Sequence, residues 1–379
     1  MALQQLTSGD ISNSAITIQN IDSSATQLFG MRNRLINGGM VIDQRNSGAS
    51  VTPSTSGVYV LDRFYLFNTQ ASKFSIQQNA GSVTPPAGFT NYSGITSTSA
   101  FTPAAGDYFG YAQFIEGFNI ADLAWGTANA ATVTLSFWVR SSLTGTFGGF
   151  LKNSASTRFY TYSYTISAAN TWEYKTITIL GDTSGTWLTT NGIGIGVTWG
   201  LGAGSTYTGG SASWGGTFYN QPTGSQNIVS TNGATFYITG VQLEKGSVAT
   251  PFDYRPYGTE LALCQRYYQQ LASGGDFTSF SSGQCNNSTE AFFYNQLFVP
   301  MRSSPSITPS SVSSFKIYSG ATNVTVSSFV NRVGGAVSGG NYTTINFDCT
   351  VASGLTASYG ATLMNATSSL PYISFSSEL

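Results

Sequence analysis

Hydrophobic positions in this chain alternate with polar ones far more often than they recur at helical spacing. Val133, Leu135, Phe137 and Val139 alternate with Thr132, Thr134, Ser136 and Arg140, and Ile177 and Ile179 alternate with Thr176 and Thr178. Ile193, Ile195, Val197 and Trp199 alternate with Gly194, Gly196 and Thr198. Successive side chains of a strand point to opposite faces, so period two marks half-buried strands. The glycines of the last run leave one face bare, which lets another backbone approach closely. From Phe236 to Leu243 the apolar phase flips across Gly240, from Phe236 and Ile238 to Val241 and Leu243. A β-bulge there re-aims the strand before it leaves the sheet.

From Arg32 to about Asp253 the pattern is β throughout, which predicts a β-sandwich of jelly-roll type. Residues 259–271 (TELALCQRYYQQL) form the one predicted helix, with Thr259 as its cap and Glu260 in its first turn. The alternation of Leu261 and Leu263 leaves a strand open there. A second β region follows: Leu297, Val299 and Met301 line one face, Ile345, Phe347 and Cys349 another, and Ile373 and Phe375 close it. The expected fold is all-β: an extended N-terminal arm (1–30), a jelly-roll β-sandwich (31–257) and a smaller C-terminal β-sandwich (258–379). The arm is Ser-rich with irregularly spaced isoleucines and too few large apolar residues for a core of its own. It reads either as a flexible tail or as an arm that orders against a partner.

Composition changes this picture mainly by exclusion. Charged residues are 8% of the 379, against roughly 25% in a typical soluble protein. Aromatics at 14% and a net charge of -1 rule out disorder as the cause. A neutral hydroxyl and amide surface suits neutral polar ligands or other subunits, and not nucleic acid, which needs clustered Lys and Arg. No basic, apolar leader opens the sequence and no stretch has the roughly 20 apolar residues that cross a bilayer, so no membrane insertion is expected. Cys264, Cys285 and Cys349 are odd in number and far apart, neither a disulfide framework nor a metal spacing, which points to synthesis in a reducing cytoplasm. Histidine is absent, which removes Ser-His-Asp and Cys-His catalysis and the commonest zinc ligands.

Three stretches carry a family resemblance: RNRLINGGMVIDQRNSG (32–48) with YVLDRFYLF (59–67); FIEGFNIADLAWGTANAATVTLSFWVRSS (114–142); and SWGGTFYN (213–220) through FYITGVQLEKGSVATPFDYRPYGTELALCQRYY (236–268), with FVPMRSSPSIT (298–308) after it. Together they resemble the carbohydrate-binding-module-like jelly roll with a C-terminal β domain found in tailed-bacteriophage tail fibres, receptor-binding proteins and head decoration proteins. The ending ISFSSEL is similar to the way such chains finish. The resemblance implies a virion protein made in the host cytoplasm, a homotrimer, with residues 1–30 meeting other virion proteins. It implies a tail fibre or receptor-binding role on host-surface polysaccharide, or else a head decoration (cement) protein bridging capsomers.

Candidate chemistry is sparse. The Gly-rich loop 200–216 holds Tyr207 and Trp214, with Phe218 and Tyr219 just after. Exposed rings offer sugars a flat apolar platform, so Tyr207, Trp214 and Tyr219 are the candidate glycan-binding residues; the alternative is that they fill the sandwich or its end. Asp62-Arg63 and Asp253-Arg255 place opposite charges side by side and read as ion pairs that fix loop geometry, or as a ligand or metal site. The resemblance leaves room for a structural calcium held by loop carboxylates and carbonyls, with no ligands assigned and no other cofactor expected. A polysaccharide hydrolase is the weaker reading: it needs two carboxylates, for which Glu173 and Asp182 are examples, and no catalytic residue is assigned.

Overall fold

The computed structural model describes residues 31–54, 57–210, 212–275, 277–332, 334–337, 340–366 and 370–379; the expected arm lies outside them. In chain order the first strands are β1 (Val58–Leu61), β2 (Phe64–Asn68), β3 (Phe74–Gln78), β4 (Ser93–Ser97), β5 (Tyr108–Glu116) and β6 (Val133–Ser141). They continue as β7 (Gly145–Lys152), β8 (Phe159–Ile166), β9 (Glu173–Ile179), β10 (Ile193–Ala203), β11 (Trp214–Gly215) and β12 (Thr235–Lys245). They make a seven-stranded sheet, β1-β2-β5-β10-β7-β8-β11, and a five-stranded sheet, β3-β4-β12-β6-β9. The two face each other as a jelly-roll sandwich. The period-two residues meet between them: Phe137, Val139, Val197, Trp199, Phe236 and Ile238 are fully buried.

The expected bulge is present. The β12–β6 register shifts between Thr239 and Gln242, and Gly240 takes φ 60°. Phe236, Ile238, Val241 and Leu243 are thereby all buried on the core side. A Cβ at Gly240 would lie 2.6 Å from the Phe89 ring, so both conformation and space require glycine. The bare face of β10 is also used. A Cβ at Gly200 would lie 2.9 Å from the Asn220 carbonyl oxygen, so the segment after β11 runs directly over the strand.

The helix is shorter than its sequence predicts. It is α1 (Tyr257–Gln265), entered from Pro256 with no side-chain cap, so Thr259 lies inside it. Residues Tyr268–Ala272 form a strand instead, β13, because they pair with the last strand of the chain. The strands that follow are β14 (Ser279–Cys285), β15 (Glu290–Met301), β16 (Ser306–Pro309), β17 (Phe315–Ser319), β18 (Thr322–Arg332), β19 (Ala336–Val337), β20 (Asn341–Val351), β21 (Gly360–Asn365) and β22 (Tyr372–Ser376). A three-stranded sheet, β13-β22-β16, packs with a seven-stranded one, β15-β14-β21-β17-β18-β20-β19, into the second sandwich. An additional β15–β20 pairing closes the larger sheet on itself. Phe293, Ile317, Phe347, Cys349, Leu363 and Phe375 fill its interior.

The two sandwiches are docked through buried charge. Arg266 forks onto Glu116 at 2.6 and 2.9 Å, and the Tyr267 hydroxyl donates to the same carboxylate at 2.7 Å. Glu378 binds both Arg45 (2.8 Å) and Arg63, whose guanidinium stacks 3.5 Å over the Tyr267 ring. Arg302 donates to the carbonyls of Asn191, Ser377 and Glu378 at 2.6, 2.6 and 2.9 Å. The neighbouring-pair reading of Asp62-Arg63 and Asp253-Arg255 is therefore corrected. Asp62 accepts from the backbone and side-chain nitrogens of Gln44, both at 2.7 Å, while Arg63 reaches across to Glu378. Asp253 accepts the Arg32 and Asn33 amides, and Arg255 pairs with Glu260 on α1 at 3.2 Å. Asp62, Arg63 and Asp253 thus tie separate segments, and Arg255 also donates to the Asn33 and Leu35 carbonyls.

Candidate functional site

Of the three residues singled out in the Gly-rich region, Trp214 and Tyr207 fall into different ring clusters and Tyr219 packs on a glycine turn. Trp214 interlocks with Trp125 and Trp187 at centroid distances of 5.2 and 5.3 Å, and those two lie 4.7 Å apart. The indole N–H groups of all three donate to backbone carbonyls, of Leu180, Ala131 and Ser184 respectively. An indole whose apolar face and polar edge are both occupied holds loops together and has little left for a ligand. The Tyr219 ring covers Gly209, where a Cβ would lie 2.6 Å from it. Tyr207 joins Tyr108 and Phe218 at 4.9 and 5.1 Å on the outer face of the seven-stranded sheet. Phe67, Phe150 and Phe159 continue that cluster. Tyr207, Trp214 and Tyr219 are all half-buried.

Glu173 and Asp182 do not form a catalytic pair. Glu173 is bound by Lys175 at 2.6 Å and Asp182 by Arg158 at 2.7 Å. Strand β9 separates them by about 20 Å at some 3.3 Å per residue, beyond the roughly 5–10 Å a glycosidase needs. Among the described residues no three His, Cys, Asp or Glu side chains converge as a metal cluster. The cysteines are buried as free thiols; burial lifts the Cys264 and Cys349 thiols well above their ordinary range, so they stay protonated.

An open groove of about 550 Å³ lies elsewhere, on the outer face of the closed second sandwich. Strand geometry builds it. On β15, Ala291, Phe293 and Leu297 point into the core, so Phe292, Tyr294, Gln296 and Phe298 point out. Phe292 and Tyr294 are 43% and 53% exposed, unusual for rings that have a core within reach. Register sets Asn346 opposite Tyr294 and Asp348 opposite Phe292 on β20, and Gln284 opposite Phe292 on β14. Arg332 on β18 completes the wall, binding Asp348 and lying 3.6 Å from Glu290. Burial raises the Asp348 carboxyl above its usual range and the Glu290 charge pushes the same way, against the opposing pull of Arg332. The Asn346 Oδ1 lies beneath this surface, buried without a hydrogen-bond partner.

Rings flanked by amide, guanidinium and carboxylate groups are what a sugar needs: flat apolar surface for its C–H face and planar polar groups for its hydroxyls. None of these groove residues was among those singled out from sequence. The available signal was β15 itself, FFYNQLF (292–298), aromatic on both of its faces.

No family model matches the chain, and no curated protein matches it by sequence. Among solved structures it is similar to the enzymatically active domain of tailspike protein 4 of bacteriophage CBA120, with 12% identity over 56% of this chain and a TM-score of 0.31. The chain spans only 21% of that protein's length. It is similar to a putative sugar binding protein from Bacteroides thetaiotaomicron, with 13% identity, 57% of this chain, 100% of that one and a TM-score of 0.32. A family 11 carbohydrate-binding module from Clostridium thermocellum, in complex with a mixed-linked tetrasaccharide, gives 13% identity, 52% and 100% coverage and a TM-score of 0.28. At these identities and TM-scores the similarities assign no function.

Proposed function

We propose that this protein is a non-enzymatic adhesive component of a tailed-phage virion, a tail fibre or receptor-binding protein that grips host-surface glycan. The observation that carries the reading is the groove on the second sandwich, where two exposed rings stand beside Asn346, Gln284 and the Arg332–Asp348 pair. The phage assignment rests on the sequence resemblance. On this reading the arm attaches the protein to the particle, residues 31–257 serve as scaffold, and residues 258–379 display the groove. A non-catalytic role fits the carboxylates, because Asp348 and Glu290 share one guanidinium and lie within hydrogen-bonding reach of each other, closer than the roughly 5–10 Å of a glycosidase pair.

Purified full-length protein should adsorb to host cells, soluble host polysaccharide should compete, and no reducing ends should be released on incubation. Removal of residues 1–30 should abolish incorporation into particles while adsorption persists. Absence of adsorption, with capsids that lose stability when the protein is missing, would sink the adhesin and leave head decoration. Release of reducing ends would make the protein a hydrolase.

A further inference from the structure

The outward row on β15 continues past the groove. Phe292, Tyr294, Gln296 and Phe298 occupy alternate positions on one face, and Phe298 at its far end is 61% exposed. Six residue steps at about 3.3 Å make the row about 20 Å long. That is several sugar rings end to end, where a pocket for a single terminal sugar would be closed and short. Gln296 is held flat between its neighbours: the Tyr294 hydroxyl donates to its Oε1 at 3.3 Å and its Nε2 donates to the Thr343 carbonyl at 3.0 Å. The row runs ring, ring, amide, ring, with Tyr294 and Gln296 fixed at its centre.

The charges beside it are balanced against anions. Arg332 supplies the positive charge of the groove, and both Asp348 and Glu290 lie against it. The guanidinium is already engaged by both carboxyl groups, so a sulfated, phosphorylated or uronate chain would have to displace them to find a cation in the groove. A chain of hydroxyls meets only rings and planar hydrogen-bonding groups.

We propose that this face binds an internal stretch of an uncharged, linear polysaccharide laid along β15. The inference rests on the carbohydrate reading and narrows it to a chemical class and a binding mode. Phe292 and Tyr294 stack on adjacent sugars over the groove, and Phe298 supports a ring further along the chain.

The test is calorimetric titration of the full chain with ladders of cello-, manno- and malto-oligosaccharides from one to six units, and with oligogalacturonates, backed by a glycan array. Affinity should rise with chain length in a neutral series until the row is filled and then level off. Tyr294→Ala should weaken binding of every oligomer roughly tenfold, whereas Phe298→Ala should weaken only the longer ones. Both side chains point outward, so unchanged melting temperatures should certify the fold. Binding that saturates with a monosaccharide, prefers oligogalacturonate or survives both substitutions would overturn this proposal and leave carbohydrate binding standing. No binding to any glycan, with self-association that the same substitutions abolish, would overturn the carbohydrate reading itself and make the row a protein-docking face.

Discussion

Asp62 is a carboxylate buried in the first sandwich, and its titration should be measurable in the stability of the fold. Burial lifts its pKa to about 6, although Arg45 and two hydrogen bonds from Gln44 pull the other way. A carboxyl whose folded pKa is raised binds protons more readily in the native state. Its stabilising contribution is complete below the ordinary value of 3.8 and is lost as pH rises through about 6. A shift of roughly two units corresponds to about 3 kcal/mol. The difference in unfolding free energy between the wild type and Asp62→Asn should therefore change by about that amount between pH 3.5 and 7. Urea titrations at several pH values would read it, and a flat difference would show that Asp62 does not titrate in this window. The sequence marks Asp62 and Arg63 as unusual in a charge-poor chain, but it cannot supply their partners. Glu378 lies 315 positions from Arg63, and only the folded chain brings them together.

At the scale of elements, what is local in the chain is what could be read from it. Strands β6, β9, β10 and β12 were legible because side-chain alternation is a property of the strand itself. The bulge was legible because one glycine reverses that phase. Gly240→Ala should cost about 1–3 kcal/mol, through a left-handed backbone and contact with Phe89, seen as a lowered urea midpoint at unchanged slope. The end of α1 was not legible. Arg266 to Leu271 continue a plausible helix, and only the pairing of β13 with β22 makes Tyr268–Ala272 a strand. The groove was hidden for a related reason. A strand with apolar residues on both faces reads as one buried on both sides, and ring closure decides that Phe292 and Tyr294 look outward. Trp214 could be read from sequence either as a glycan platform or as packing, because its Gly-rich loop reads as exposed while Trp125 and Trp187, the rings that enclose it, come from distant segments.

The molecule as a whole is two cores joined through ionic and aromatic contacts, with the final residues of the chain wedged between them. The junction stretch 251–268 has this role: Arg255, Glu260, Arg266 and Tyr267 each bond to a residue of the first sandwich or to the other arm of the junction. Glu378→Ala would leave Arg63 buried and unpaired, at a cost of about 3–5 kcal/mol. Calorimetry should then show the single unfolding transition lowered and split into two, one for each sandwich. A single transition at the wild-type temperature would mean that the docking does not depend on Glu378. The ring closure of the second sandwich has a further consequence, for evolvability. Because Ala291 to Tyr294 of β15 are hydrogen-bonded on both sides, by β14 and β20, the backbone there does not rely on its outward side chains. Exchanges at exposed positions such as Phe292, Tyr294 and Phe298 should each alter stability by about 0.5 kcal/mol or less. If that face binds glycan as proposed, its specificity is thus free to drift while the barrel beneath it stays the same.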